Sequence, residues 1–160
     1  MPTAQHSTNL TERELRAWKG LLRAHARLTK ELDAELERGH DISLSSYEVL
    51  LHLVRADDGR MRMSELADSV ILSRSGLTRL ADRLEREGLI QRCACASDAR
   101  GFHACITDAG RERFAAAQQT HLEGVRRLFI AHLDPAHQDA LAEVWERVAP
   151  PAADGGGPCS

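Results

Sequence analysis

A short run of hydrogen-bonding side chains suited to DNA base edges follows Ser73. Ser75, Thr78 and Arg79 fall on one side of a predicted helix, and Arg74 lies at the edge of that side. A guanidinium can donate two hydrogen bonds to guanine, and a serine or threonine hydroxyl can bond to any base edge. The N-terminus of a helix also favours phosphate. These residues predict major-groove contacts, with an ordinary solvated helix face as the alternative.

An amphipathic helix over Arg74–Glu87 would position these side chains. Its opposite side carries apolar residues at i, i+3, i+4 and i+7, namely Leu77, Leu80, Ala81 and Leu84. Ser73 is its predicted N-cap and Gly88 its C-cap. A shorter helix, Glu65–Val70, precedes it after Ser64. The pair predicts a helix-turn-helix, with Ser64 and Arg86 placed to contact the DNA backbone.

A charged β-hairpin follows this helix pair. We expect strands Leu89–Cys95 and Phe102–Thr107, joined by a tip over Ala96–Gly101. Arg100 on that tip is suited to a narrow minor groove, and Asp98 to fixing the loop or the guanidinium. An ordinary charged hairpin tip is the alternative.

Three cysteines and a histidine alternate along the predicted hairpin strands. Cys93 and Cys95 face the same side of one strand, and His103 and Cys105 the same side of the other. Such residues suit a zinc site or a thiol switch, although small cysteines also fill strand positions. We expect reduced thiols, which are the default in a cytosolic protein. We expect no metal site, because the Cys-x-Cys spacing lacks the loop geometry of a structural zinc site. No catalytic constellation or cofactor motif is present, so we expect no enzyme and no cofactor.

Long helices flank this central unit. The first is predicted over residues 11–38, starting at a Thr11–Glu14 capping box and stopped by Gly39. A second helix follows Ser45 or Ser46. Two more span residues 107–148, capped by Thr107 and Asp134. Their apolar faces either pack within one chain or interlock with a second copy in a two-fold dimer, which we favour.

Overall composition fits one globular domain. The 160 residues are 42% hydrophobic, and no apolar run approaches the ~20 residues of a membrane span. We see no secretory signal and expect a cytoplasmic protein with no membrane partner. The net charge is −3, but residues 72–101 carry six arginines against four acidic residues. A locally positive face on an acidic body is compatible with salt-sensitive DNA binding.

The same strings resemble the MarR family of bacterial transcription regulators. The likeness rests on MSELADSVILSRSGLTRLADRLEREGLIQR, on the wing SDARG and on ITDAG, and it spans roughly residues 10–148. It implies a mainly α (α+β) fold: a winged helix-turn-helix over residues 45–106, with dimerisation helices over residues 11–38 and 107–148. Residues 1–9 and 149–160 are expected to be disordered.

The resemblance also implies a function. Ser73–Arg79 would enter the major groove and Arg100 the minor groove of a pseudo-palindromic operator, with Asp98 supporting the wing. Members usually repress their own or a neighbouring gene and are often released by a small phenolic effector or by cysteine oxidation. Trp18 and His25 mark a candidate effector crevice. The alternatives are a protein-interaction module without DNA affinity and a regulator responsive to metal or thiol chemistry through the wing residues. Two departures are the absence of a cysteine near the start of the first helix and the glycine at 101.

Overall fold

The structure is a computed structural model that describes residues 9–70, 74–95 and 98–150, without the side chains at 74, 95 and 98–101. The described residues form six α-helices and a small antiparallel sheet. The helices are α1 (Glu12–His40), α2 (Leu44–Arg55), α3 (Met63–Ser69), α4 (Arg74–Arg86), α5 (Asp108–Leu128) and α6 (Pro135–Val148). The strands are β1 (Arg60–Arg62), β2 (Ile90–Cys95) and β3 (Asp98–Ile106), in the order β1-β3-β2. The mainly helical winged-helix architecture is as predicted. Disorder was predicted for residues 1–9 and 149–160, of which 1–8 and 151–160 lie outside the described residues.

Local capping signals set most helix ends. Thr11 and Glu14 form the predicted capping box of α1, and Thr107 and Asp134 cap α5 and α6. Gly88 has φ +71°, the left-handed conformation that ends α4. The Leu89 amide then donates to the Leu84 carbonyl at 2.9 Å.

Three predicted helix boundaries were wrong. Gly39 does not stop α1, which continues to His40 and ends at Asp41 with φ 54°. Ser43, rather than Ser45 or Ser46, caps α2 by accepting from the Ser46 amide at 3.1 Å. The Leu44 amide also donates to Asp33 at 2.8 Å, which draws the start of α2 onto α1. In addition, α3 begins at Met63, so Ser64 lies inside the helix.

The hydrophobic core gathers around α2. Val49, Leu50 and Leu53 are fully buried and pack with residues from every other helix except α6 and from the sheet. Leu36 of α1 and Phe114 of α5 also belong to this core. The core thus joins the winged unit to the long helices, whereas α6 has no buried residue.

Candidate nucleic-acid interface

Helix α4 separates an apolar side from a polar one, as its sequence predicts. Leu77, Ala81 and Leu84 are buried, with at most 1% exposure. Ser75, Thr78 and Arg79 are exposed. Packing of the leucine side against the core therefore fixes the helix and presents two hydroxyls and a guanidinium within its first two turns. Ser73 lies outside the described residues, as does the Arg74 side chain.

The two predicted backbone-contacting residues lie at helix ends. Ser64 is exposed in the first turn of α3. Arg86 is exposed in the last turn of α4, where its Nε donates to the Asp82 carbonyl at 3.3 Å. Both side chains are exposed, and their contact with the DNA backbone stays a prediction.

An arginine on β2 holds α4 in place. Arg92 forms ion pairs with Asp82 and Glu85 of α4, the second at 3.2 Å, and its amide donates to Glu85 at 3.1 Å. The nearest sequence signal was the spacing of Asp82 and Glu85, which puts both acids on one helix face. We call the contact of Arg92 with Asp82 and Glu85 the Arg92 clasp.

The wing is more regular than predicted. Strand β3 begins at Asp98 instead of Phe102, so the expected tip Ala96–Gly101 is largely strand. The ladder runs from Ile90↔Ile106 to Cys95↔Asp98, with an irregularity at Ala94/Cys95. Regular pairing therefore extends from Ile90 to Ala94, and residues 99–101 of β3 have no partner in this register. The side chains of Asp98 and Arg100 lie outside the described residues, so their predicted roles stay predictions.

The cysteines of the hairpin are closer than expected. Cys93 and Cys105 are joined in a disulfide, with Cα atoms 6.3 Å apart, so the expectation of reduced thiols here was wrong. The pair is diagonal in the register, since Cys93 faces His103 and Cys105 faces Gln91. His103 is buried. No cluster able to hold a metal occurs within the described ranges, and the Cys95 side chain lies outside them.

The candidate effector residues do not line the cavity that the structure forms. Trp18 and His25 are exposed on α1. A shallow groove of about 320 Å³ lies instead between α1 and α5. Five of its seven lining residues are polar or charged, and the seven are Glu35, Arg38, Gly39, Thr120, Glu123, Gly124 and Arg127. The Arg127 guanidinium pairs with Glu35 across it. The effector site around Trp18 and His25 stays a prediction.

Titratable groups are partly buried where α2 meets α5. The Tyr47 ring stacks on Phe114 at 5.2 Å and lies 4.4 Å from the His121 ring. Burial lowers the pKa of His121, whose Nδ1 has no hydrogen-bond partner in the described part of the chain. Burial also raises the pKa of Glu48, against the opposing charge of His25. This junction therefore favours a neutral His121.

Comparisons with known proteins agree with this geometry. A model of the MarR family matches residues 40–101, from the last residue of α1 into β3. An HTH-type transcriptional regulator of Bacillus subtilis, YxaD, is 38% identical over 117 residues, covering 73% of this chain and 80% of its own. The chain belongs to the MarR family. It is therefore a transcriptional regulator and not an enzyme, as predicted.

Solved MarR-family structures match almost the whole chain. AbsC of Streptomyces coelicolor has a TM-score of 0.84 at 33% identity, covering 89% of this chain and 96% of its own. Sco3205 of the same organism, solved in complex with DNA, has a TM-score of 0.84 at 33% identity, covering 88% and 92%. Among proteins compared by sequence, the transcriptional repressor MprA of Escherichia coli is 25% identical over 122 residues, which cover 65% of this chain and 69% of MprA. No helix in the described ranges is long and apolar enough to span a membrane.

Proposed function

We propose that this MarR-family protein is a homodimeric repressor that binds a pseudo-palindromic site in duplex DNA. The observation that carries the proposal is the exposed start of α4, where Ser75, Thr78 and Arg79 stand opposite a fully packed leucine side. Residues at the start of a recognition helix are those that meet base edges in the major groove. The DNA complex of Sco3205 and the repressor name of MprA support this function.

A second copy of the chain is the proposed partner of the outer helices. Helix α6 has no buried residue, and Trp145 and Val148 on it are exposed, as are Trp18 and Leu22 on α1. Apolar surface of this extent on two helices of one chain is typical of an interface between subunits.

Charge patterning favours pairing of α1 with α6 of the second copy. Four exposed cations form a stripe along α1 with no acid among them: Arg16, Lys19, Arg23 and Arg27. Asp139, Glu143 and Glu146 form an exposed acidic stripe on α6. Complementary stripes of this kind set partner and register.

Sedimentation of charge variants tests this interface. Reversal of α1 charges (Lys19→Glu with Arg23→Glu) is expected to shift the wild-type dimer toward monomer, because the acidic stripe then meets like charge. Combining it with Glu143→Lys and Glu146→Lys is expected to restore the dimer. A monomeric wild type, or a dimer unaffected by the reversal, would contradict the proposed interface.

Arg79→Ala tests the reading face of α4. Loss of a guanidinium that binds guanine in two-pronged fashion is expected to weaken specific binding by about 1–3 kcal/mol. Arg83→Ala is a matched control, because Arg83 pairs with Glu87 at 2.8 Å and faces the acids Glu37 and Asp41 of α1. Binding to the DNA flanking the gene is measured by fluorescence anisotropy at fixed salt. Equal affinity of Arg79→Ala and Arg83→Ala for this DNA would contradict a role of Arg79 in DNA binding.

We also propose that a small-molecule effector regulates DNA binding, and we assign no binding site to it. The charged lining of the α1–α5 groove does not suit a phenol, which needs an apolar pocket with few polar groups. Thermal stabilisation by a panel of phenolic acids, compared between wild type and Trp18→Ala, tests the predicted crevice. Stabilisation that is unchanged by the substitution would place the effector elsewhere.

A further inference from the structure

Phe102 is an exposed aromatic side chain at the base of the wing tip. It is 58% exposed, and the register pairs it with Ala94, which is also exposed and carries only a methyl group. The other exposed large apolar side chains of the described ranges lie on, or just before, the long helices α1, α5 and α6. Within the described part of the winged unit, from α2 to β3, Phe102 is thus the one large apolar side chain left exposed.

The ring lies on the side of the sheet that faces α4. Arg92 on β2 is paired with Ala104 on β3, and Phe102 is two residues from Ala104. Residues two apart on a strand, and residues directly opposite each other, point to the same side of a sheet. Arg92 forms the Arg92 clasp with α4 from that side. The exposed ring therefore projects from the same side of the hairpin on which the recognition helix packs.

The Arg92 clasp also shows where Phe102 lies along α4. The Arg92 amide donates to Glu85 at 3.1 Å, and its guanidinium reaches on to Asp82, which is nearer the start of the helix. Strand β2 therefore extends along α4 in the direction of its N-terminal turns. The pair of Phe102 with Ala94 comes next in this direction. Phe102 thus lies toward the end of α4 that carries the proposed DNA-reading side chains.

We propose that the Phe102 ring packs on deoxyribose of the DNA strand that separates the major groove entered by α4 from the minor groove reached by the wing. The inference rests on the proposed DNA binding and adds a contact to it. A side chain between a helix in one groove and a wing tip in the next faces the sugar–phosphate strand between them. Phosphates on that strand suit cations and hydrogen-bond donors, whereas the apolar edge of a sugar is the part that a phenyl ring covers. Burial of the ring removes apolar surface from water and so favours binding.

Fluorescence anisotropy on the DNA flanking the gene tests this contact. Phe102→Ala is expected to bind at least about fivefold more weakly than wild type, because each subunit loses the burial of an exposed ring. Phe102→Leu keeps a large apolar side chain and is expected to recover most of the affinity. Gln91→Ala is the matched control, since Gln91 is exposed and precedes Arg92, which places it on the opposite face of the hairpin. Phe102→Ala that binds as tightly as Gln91→Ala would overturn the proposal.

Salt dependence separates an apolar contact from a distorted wing. An apolar contact releases no counterion, so the slope of log K against log salt is expected to be equal for wild type and Phe102→Ala. A distorted wing would lose phosphate contacts, and the resulting shallower slope would overturn the proposal. Because the ring is exposed, the melting temperature is expected to change by no more than about 2 °C. A larger fall, or a shift toward monomer in sedimentation, would assign the ring to protein packing and overturn the contact.

DNA made with uracil in place of thymine distinguishes a sugar from a base. The replacement removes the C5 methyl groups, which a phenylalanine can also contact, and leaves every deoxyribose in place. The ratio of wild-type to Phe102→Ala affinity is expected to be the same on both DNAs. A ratio that falls to one on uracil DNA would overturn the sugar contact in favour of a thymine methyl group. A wild type without affinity for this DNA would overturn the proposed function, whereas a wild type that binds only as well as Phe102→Ala overturns this contact alone.

Discussion

Replacing Arg92 by glutamine is expected to loosen the attachment of the recognition helix. The substitution removes both ion pairs of the Arg92 clasp but leaves the amide hydrogen bond to Glu85. The Arg92 side chain is 33% exposed, and its partners are 47% and 38% exposed, so solvent weakens each pair. At roughly 0.2–1 kcal/mol for each exposed pair, Arg92→Gln is expected to lower the free energy of unfolding by about 1 kcal/mol.

Arg83→Gln is the matched control for that measurement. Arg83 makes one pair with Glu87 inside α4, with an i,i+4 spacing, and such pairs contribute about 0.2–0.5 kcal/mol. Urea unfolding followed by circular dichroism gives both values, and repetition at 1 M salt is expected to shrink the difference. A double-mutant cycle with Glu85→Gln isolates the coupling. Equal losses of unfolding free energy for Arg92→Gln and Arg83→Gln, or a cycle with no coupling energy, would contradict a stabilising role of the Arg92 clasp.

Three further substitutions, one of them with Gly39→Ala as its control, test contacts made by α5. Thr107→Ala is expected to cost about 1–2 kcal/mol of unfolding free energy, because the hydroxyl caps α5 and donates to the Gly88 carbonyl at 2.6 Å; urea unfolding checks it, and a loss near zero contradicts it. Gly110→Ala is expected to lower the free energy of unfolding by about 1–3 kcal/mol, since a Cβ there would lie 2.1 Å from the Leu89 carbonyl oxygen. Gly39→Ala is the control, because a Cβ there meets nothing within 4 Å, and it is expected to be neutral or stabilising. Equal melting temperatures of the two variants would contradict this packing. His121→Phe is expected to reduce the loss of stability between pH 7 and 5.5: the pKa of His121 is lowered in the fold, so the unfolded chain binds more protons, and stability falls as the pH drops through about 6.5. Parallel pH profiles of the variant and the wild type would contradict it.

Local signals accounted for much of the fold. The capping box at Thr11, the caps at Thr107 and Asp134, and the left-handed Gly88 all depend on residues within a few positions of each other. The two sides of α4 also follow from helical periodicity alone. Because a bacterial family reuses these signals in a fixed order, their combination predicted both the winged helix-turn-helix and the family.

Contacts between distant residues accounted for the errors. Ser43 replaced Ser45 and Ser46 as the cap because Asp33 of α1 binds the next amide, a contact that no local pattern of serines encodes. The Arg92 clasp and the Cys93–Cys105 disulfide depend on the register of the sheet and on how β2 lies against α4. Alternation predicted that Cys93 and Cys95 share a face on one strand, and His103 and Cys105 on the other, but only the register brings Cys93 close to Cys105.

Hydroxyl-radical footprinting on the DNA flanking the gene, combined with the mass of the complex in sedimentation, tests whether a dimer of this chain binds a two-fold DNA site. We expect two chains for each duplex and two protected half-sites with centres about one helical turn apart, roughly 10 bp. We also expect protection to weaken steeply as salt is raised. A single chain in solution that leaves this DNA unprotected even at low salt would contradict it.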